Sequence, residues 1–220
     1  MAAVMWDMDG TLVDTEPYWI AAEHELVANH GGHWSEEFAH QLVGNPLLVS
    51  AQFIIDNSPV SLSPEEVVAA LLDRVVAQVT EHVPWRPGAL DLLADLRAGG
   101  IPCALVTMSW RRLADAVTSA MPGPPFEVVI TGEHVENGKP HPEPYLAAAA
   151  ALGVDPGDCV AIEDSAKGVA SAVAAGIPTI AVPHVVPIPP LAGAVQIDTL
   201  AGLTTAQLRQ LTAGLAARSG

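Results

Sequence analysis

Short apolar segments alternate with helical patterns along most of this 220-residue chain, and this alternation limits the folds open to it. The apolar segments are 2–6, 101–107, 126–131, 158–164, 177–183 and a possible edge strand at 194–200. They show no regular alternation of polar and apolar residues, which is typical of parallel strands covered by helices on both faces. The sequence therefore predicts an α/β fold with a doubly wound parallel sheet.

Residues 15–85 interrupt this alternation, because they contain helical patterns and no apolar strand. In the clearest of these helices, Ser63 and Glu66 have the spacing of a capping box. We therefore expect a helical domain at 15–85, inserted after the first strand. The core domain would then consist of residues 1–14 and 86–220.

The composition disfavours several classes of partner. The net charge is −16, from 25 acidic and 9 basic side chains, so the surface should repel nucleic acids and anionic lipids. No window reaches the roughly 18 apolar residues that a membrane span needs. We see no basic and apolar leader and no unassigned apolar stripe, so we expect a cytoplasmic monomer.

Cys103 and Cys159 fall in predicted core strands and are expected to be packing thiols.

Polar residues follow four of the predicted strands, and ligands of open α/β sheets bind beyond the carboxyl ends of the strands. The first strand ends in Asp7-Met8-Asp9-Gly10-Thr11. Two carboxylates at this spacing can converge if Gly10 lets the chain curl, and they then need a cation or a shared proton. The alternative is a turn with solvated acids.

Two further strand ends offer groups that suit a phosphate. Thr107 places a hydroxyl before a helix N-terminus, although a simple N-cap would look the same. Lys139, one of two lysines in the chain, lies between Gly138 and Pro140. Its charge could neutralise a carboxylate and a phosphoryl oxygen together, although a surface turn is the alternative.

The fourth strand end carries Glu163 and Asp164 at the entry to a helix. With Asp7 and Asp9 they form a set of oxygen ligands without nitrogen or sulfur, which suits Mg²⁺. Helix capping by Asp164 or Ser165 is the alternative. All four features fall on one predicted edge of the sheet, and this coincidence favours a magnesium and phosphate site there.

These motifs, in this order, resemble those of the haloacid dehalogenase superfamily. The similarity is to its β-phosphoglucomutase-like phosphatase branch, in which a helical C1-type cap follows the first motif. The motifs are Asp7-x-Asp9-Gly10-Thr11, Thr107, Lys139 in GKPHPEPY, and Glu163-Asp164 in IEDSAKGVASAVAAG. The resemblance implies a Rossmann-like core and a cap at 15–85.

The resemblance also implies a role for each motif residue. Asp7 would attack phosphorus and form an aspartyl phosphate, while Asp9 would act as general acid and base. Thr107 and Lys139 would hold the phosphoryl oxygens.

The same resemblance implies a metal set and substrate contacts. Mg²⁺ would be held by Asp7, the carbonyl of Asp9 and Asp164, with Glu163 beside or behind them. The expected substrate contacts are Gly10, Thr11, Met108, Ser109 and Trp19.

The sequence differs from three kinds of superfamily member, and these differences reduce the number of activities that we expect. Members that remove halide need no metal, so the second acid Asp9 would not be expected. Members that cleave phosphonates need a cap lysine, and 15–85 contains none. Phosphomutases typically carry a histidine near the position of Trp19, and the cap loop expected at 42–50 has no arginine for a second phosphate.

The sequence therefore favours a phosphatase acting on a small sugar or polyol phosphate. A β-phosphoglucomutase-type mutase is the alternative enzyme, and a phospho-ligand sensor is the non-enzymatic alternative.

Overall fold

Six strands form one parallel sheet in the computed structural model of the protein, which describes residues 1–215. The strands are β1 (Ala3–Trp6), β2 (Cys103–Val106), β3 (Val128–Ile130), β4 (Cys159–Glu163), β5 (Thr179–Ala181) and β6 (Ala194–Gln196). All five pairings between neighbouring strands are parallel. The predicted α/β fold is confirmed, including the last edge strand.

The order β3-β2-β1-β4-β5-β6 places β1 at the centre of the sheet. The chain builds β2 and β3 on one side of β1 and then returns to build β4, β5 and β6 on the other side. In such sheets the crevice for the ligand lies where the strand order reverses. The carboxyl ends of β1, β2 and β4 therefore meet at one edge, and the residues after these strands can converge.

Nine α-helices complete the described part of the chain. They are α1 (Glu16–Asn29), α2 (Glu36–Leu42), α3 (Leu47–Asp56), α4 (Pro64–Glu81), α5 (Ala89–Ala98), α6 (Arg111–Ser119), α7 (Glu143–Leu152), α8 (Ala166–Ala174) and α9 (Thr205–Ala213). The first four lie within 15–85, and α5 follows them before β2. At the start of α4 the capping box of Ser63 and Glu66 is present in both directions.

Helix α3 is where the sequence analysis was wrong. Residues 42–50 were treated as a loop, but a helix begins at Leu47, directly after Pro46. Ser50, Ala51 and Ile54 form its buried face at helical spacing. The Gly44-Asn45-Pro46 turn exists, but the whole connection between α2 and α3 is only the four residues 43–46.

The two connections to the inserted helices pair with each other. The amide of Asp14 donates to the carbonyl of Pro84 (2.7 Å), and that of Arg86 donates to Leu12 (3.0 Å). We propose on this basis that the cap boundaries lie near residues 15 and 85, as the sequence suggested.

The inserted helices have an aromatic cluster of their own. Trp34 packs on Phe38 and Phe53, with ring centroids 5.1 and 6.1 Å away. Such pairs stabilise beyond the area they bury. The insert is therefore a packed unit and not a loop laid over the sheet.

The two cysteines are buried free thiols, Cys103 on β2 and Cys159 on β4, which confirms their expected role in packing. Within residues 1–215 no helix has the length and apolar character to cross a membrane.

Candidate active site

Lys139 joins the carboxyl ends of three central strands. Its Nζ donates to Asp7 Oδ1 after β1 (2.6 Å), to Glu163 Oε1 at the end of β4 (2.6 Å) and to the carbonyl of Val106 on β2 (2.8 Å). The residue is 5% exposed. Burial lowers the pKa of the lysine, but the charges of Asp7 and Glu163 outweigh it, and the pKa lies above its ordinary value. Lys139 is therefore a charged group at the centre of the site.

Glu163 is completely buried and faces Lys139. The hydroxyl of Tyr145 on α7 also donates to its Oε1 (2.6 Å). A Cβ atom on Gly168 would lie 1.8 Å from Oε2, so only glycine there leaves room for the carboxylate. These contacts orient Glu163 toward Lys139, and they favour a position behind the metal site over one among direct ligands.

Asp164 lies against Gly10, whose φ of +89° is in the left-handed region. A Cβ atom at Gly10 would be 2.0 Å from Asp164 Oδ2. The hydroxyl of Thr11 donates to Asp164 Oδ1 at 3.4 Å. The glycine of the first motif thus allows the chain after β1 to approach the acid after β4.

The residues present fit a divalent cation. Carboxylate oxygens of Asp7, Glu163 and Asp164 lie within 4.8 Å of one another. Asp7 Oδ2 is buried and has no hydrogen-bond donor among the described residues. An orphaned buried oxygen is costly unless a partner binds it. The donors are carboxylates only, which is the preference of Mg²⁺ and not of zinc.

Without a bound cation, the protein supplies too little positive charge to balance the carboxylates of Asp7 and Asp164. Burial raises the pKa of Asp7 to about 7, although Lys139 opposes the shift. Burial also raises the pKa of Asp164 well above its usual range, and the charges of Asp7 and Glu163 add to this effect. A bound cation would reverse both shifts, because it favours the charged carboxylates.

Asp9 lies among donors from two parts of the chain. Ser109 Oγ and Thr107 Oγ1, which follow β2, donate to its Oδ2 at 2.8 and 3.3 Å. Thr15 and the indole nitrogen of Trp19 donate to Oδ1, the latter at 3.4 Å. The second acid of the motif is therefore held between the sheet edge and the first inserted helix.

A cavity between the sheet edge and the inserted helices receives most of the predicted substrate contacts. Gly10, Met108, Ser109 and Trp19 line it. Thr11 does not line it, because its hydroxyl is directed to the carboxylate of Asp164.

Other polar residues near the cavity have different positions. Gly44 and Asn45 line the cavity, and the second lysine, Lys167 on α8, donates to Asn45 Oδ1. Tyr18 lies outside it and donates to the carbonyl of His82. Arg112 also lies outside it and pairs with Asp73 on α4.

Several residues at the site were missed by the sequence analysis. Tyr145 gave no signal, because a tyrosine in a helix is ordinarily core. His184, to which no role was given, lies at the cavity and contacts Asp14 Oδ1 (2.8 Å). Glu16 and Glu23 on α1 also line the cavity. Their spacing of seven residues, which is two helical turns, was the available signal.

Known proteins show the same organisation. A sequence model of the haloacid dehalogenase-like hydrolases matches residues 4–182. The chain is 36% identical over 179 residues to hexitol phosphatase A of Escherichia coli K12, covering 81% of each protein. It is 30% identical over 177 residues to a fructose-1-phosphate phosphatase of that organism, covering 80% of this chain and 93% of the relative.

The fold is likewise shared with solved structures. The crystal structure of CbbY from Rhodobacter sphaeroides with xylulose-1,5-bisphosphate has a TM-score of 0.85 at 29% identity, covering 94% of this chain and 99% of the other. A β-phosphoglucomutase from Clostridium difficile has a TM-score of 0.83 at 23% identity, covering 99% and 100%, and shows the fold alone. The chain belongs to the haloacid dehalogenase-like hydrolases, in the branch that resembles β-phosphoglucomutase.

Proposed function

We propose that the protein is a Mg²⁺-dependent phosphatase that hydrolyses a small sugar or polyol phosphate through an aspartyl phosphate on Asp7. The observation that carries the proposal is the difference in hydrogen bonding between the two oxygens of the Asp7 carboxylate. Lys139 holds Oδ1, whereas Oδ2 is buried without a donor among the described residues. A buried carboxylate that is oriented by Lys139 and not fully occupied by protein donors can face both a cation and the phosphorus, and such orientation is what an attacking group requires.

Asp9 is the proposed general acid and base. It would protonate the leaving oxygen and then take a proton from the water that hydrolyses the aspartyl phosphate. Its hydrogen bonds from Ser109 and Thr107 fix one oxygen on the sheet side. Trp19 contacts the other oxygen from α1, so the position of the cap bears directly on the acid.

The phosphoryl group would lie beside Lys139 and Thr107, which line the cavity together with Asp7. Phosphoryl transfer depends on positioning and charge neutralisation more than on covalent chemistry by the protein. Asp7, Asp164 and the main-chain carbonyl of Asp9 would hold Mg²⁺. When bound, the ion neutralises charge on the phosphoryl oxygens and on the clustered carboxylates.

The lining of the cavity supports a substrate with one phosphate. Within residues 1–215 Lys139 is the only lysine or arginine that lines it. Arg74, the one basic residue of 15–85 besides histidine, pairs with Glu25 on the outside of the cap (3.0 Å). Leu42, Leu47 and Leu71 supply apolar surface instead. The sugar and hexitol phosphatases among the relatives agree with this substrate class.

A β-phosphoglucomutase-type activity is the second candidate, because solved structures of that type share the fold. It would need cations in the cap for a bisphosphate, and the lining offers none there. The test is isomerisation of a sugar 1-phosphate with a bisphosphate primer. Product without release of free phosphate would replace the phosphatase proposal.

The deciding experiment measures free phosphate released from a panel of sugar and polyol phosphates, with Mg²⁺ and with chelator. We expect turnover that requires Mg²⁺ and is lost in Asp7→Asn. A denaturing gel after acid quench should show phosphate bonded to the wild type alone. Binding of esters without any turnover would favour a phospho-ligand sensor.

A further inference from the structure

Glu23 is a buried acid at the cap side of the cavity, away from the residues proposed for catalysis. It is 5% exposed, lies on α1 and lines the cavity. The indole nitrogen of Trp34 donates to its Oε2 at 3.0 Å. No residue of the described chain donates to Oε1. One oxygen is therefore anchored in the cap, and the other is available to a ligand.

Ser50 on α3 is a second such group. It is 6% exposed and lines the same cavity. Within residues 1–215 its hydroxyl makes no hydrogen bond, whereas its amide is used within the helix. Glu23 and Ser50 therefore each offer the cavity a hydrogen-bonding oxygen that no other side chain of the described residues uses.

The chemistry of these two groups selects the kind of ligand. Burial raises the pKa of Glu23 to about 8, the bond from Trp34 opposes the shift, and Glu16 adds to it. A neutral carboxyl can donate and accept hydrogen bonds, as can the serine hydroxyl. A second phosphate would find no cation here. Hydroxyl groups on a carbon chain match both partners, and Leu47 and Leu71 can cover its CH groups.

We propose that Glu23 and Ser50 form a subsite that hydrogen-bonds hydroxyl groups on the carbon chain of the substrate. This proposal rests on the proposed phosphatase function, and it names the feature of the leaving group that the cap selects. Sites built to hydrogen-bond a hydroxyl discriminate strongly against analogues that lack it, because their polar groups are left unpaired.

The test is a ratio of two kcat/KM values. One substrate is the best polyol or sugar phosphate of the panel, with sorbitol 6-phosphate as the first choice, and the other is phenyl phosphate, which has no hydroxyl. We expect the wild type to favour the polyol ester. Glu23→Leu should lower the ratio at least 10-fold, and Ser50→Ala should lower it 3-fold or more. Glu23→Gln, which keeps a neutral polar group, should retain most of it.

Glu25→Gln is the matched control, since it makes the same change on the same helix at a side chain 58% exposed and outside the cavity. Its ratio should equal that of the wild type. If the wild type is active and the ratio of kcat/KM values is unchanged in Glu23→Leu and Ser50→Ala, the subsite proposal is wrong and the proposed phosphatase function is unaffected. If Glu23→Leu does not fold, the ratio measured for Ser50→Ala decides whether the subsite exists. A wild type that releases phosphate from neither ester contradicts the proposed function itself.

Discussion

Lys139 lies between Asp7 and Glu163, with its Nζ 2.6 Å from one oxygen of each. Both carboxylates are buried, so their mutual repulsion is poorly screened and the lysine is their shared counter-charge in the protein. Lys139 also lines the cavity in which a phosphoryl group would bind. We therefore expect catalysis and stability to depend on this one side chain.

Replacing that lysine should damage both properties. Lys139→Met leaves two buried acids without their cation, and removal of one partner of a buried ion pair typically costs about 3–5 kcal/mol. We expect phosphatase activity to fall by about 10²-fold or more. Urea denaturation and phosphate release would measure the two effects.

Lys167→Met is the control for this change, because Lys167 is the other lysine and is only partly buried. Its effect on the free energy of unfolding should stay within about 1 kcal/mol. Equal destabilisation by both substitutions would contradict the central role of Lys139.

Tyr145→Phe removes one of the two donors to Glu163 Oε1 and leaves the ring in place. Glu163 keeps Lys139, so we expect a loss of about 1 kcal/mol in the free energy of unfolding and a modest fall in kcat. The KM for the phosphate ester should change little, since the tyrosine does not line the cavity. A large rise in KM with unchanged kcat would mean that the hydroxyl contacts substrate instead.

Gly10→Ala tests the close approach of the first motif to Asp164. The new Cβ would lie 2.0 Å from Asp164 Oδ2, so the carboxylate must move away from Asp7. We expect the Mg²⁺ concentration for half-maximal activity to rise at least 10-fold. Titrating activity with Mg²⁺ would measure this.

Gly31→Ala separates that effect from backbone strain. Gly31 also has a positive φ, +79°, but nothing lies within 4 Å of a Cβ there. It should cost about 1 kcal/mol of stability without altering the Mg²⁺ dependence. If both variants shift the Mg²⁺ dependence alike, contact with Asp164 is not the cause.

The sequence predicted the sheet edge well because apolar strands and the residues that follow them are local patterns. Asp7, Thr107, Lys139 and Asp164 could be assigned to one edge without knowledge of any distance. The contact between Tyr145 and Glu163 could not, because it depends on how α7 packs on the sheet. Thr11 was misplaced for a similar reason, since the curl after β1 decides whether its hydroxyl faces the cavity or Asp164.

The cap was predicted less completely than the core. Its helices were recognised from apolar spacing, but α3 was hidden because it follows a Gly-Asn-Pro turn and has a short buried face. Without α3 the position of Ser50 could not be inferred. The identity of the groups that face the substrate depends on the packing of α1, α3 and α4 over the sheet edge, and a single sequence does not encode that arrangement locally.

The buried acid of the cap should make stability depend on pH in a defined direction. Glu23 has an ordinary pKa of 4.5 in the unfolded chain and about 8 in the folded protein. Between these values the folded protein holds a proton that the unfolded chain has lost. The free energy of unfolding therefore falls as pH rises, and the stabilisation present below about pH 4.5 is gone above about pH 8.

Glu23→Gln cannot titrate, and its amide oxygen can still accept the hydrogen bond from Trp34. The variant should therefore be more stable than the wild type at pH 8, by up to about 4 kcal/mol, and nearly equal at pH 5. Glu16 titrates in both proteins, and its repulsion of an ionised Glu23 is part of the expected difference. Urea denaturation across pH 5–8 would measure the difference, with Glu25→Gln as the control that should follow the wild type. Parallel pH curves for Glu23→Gln and the wild type would show that this carboxyl is ionised in the folded cap.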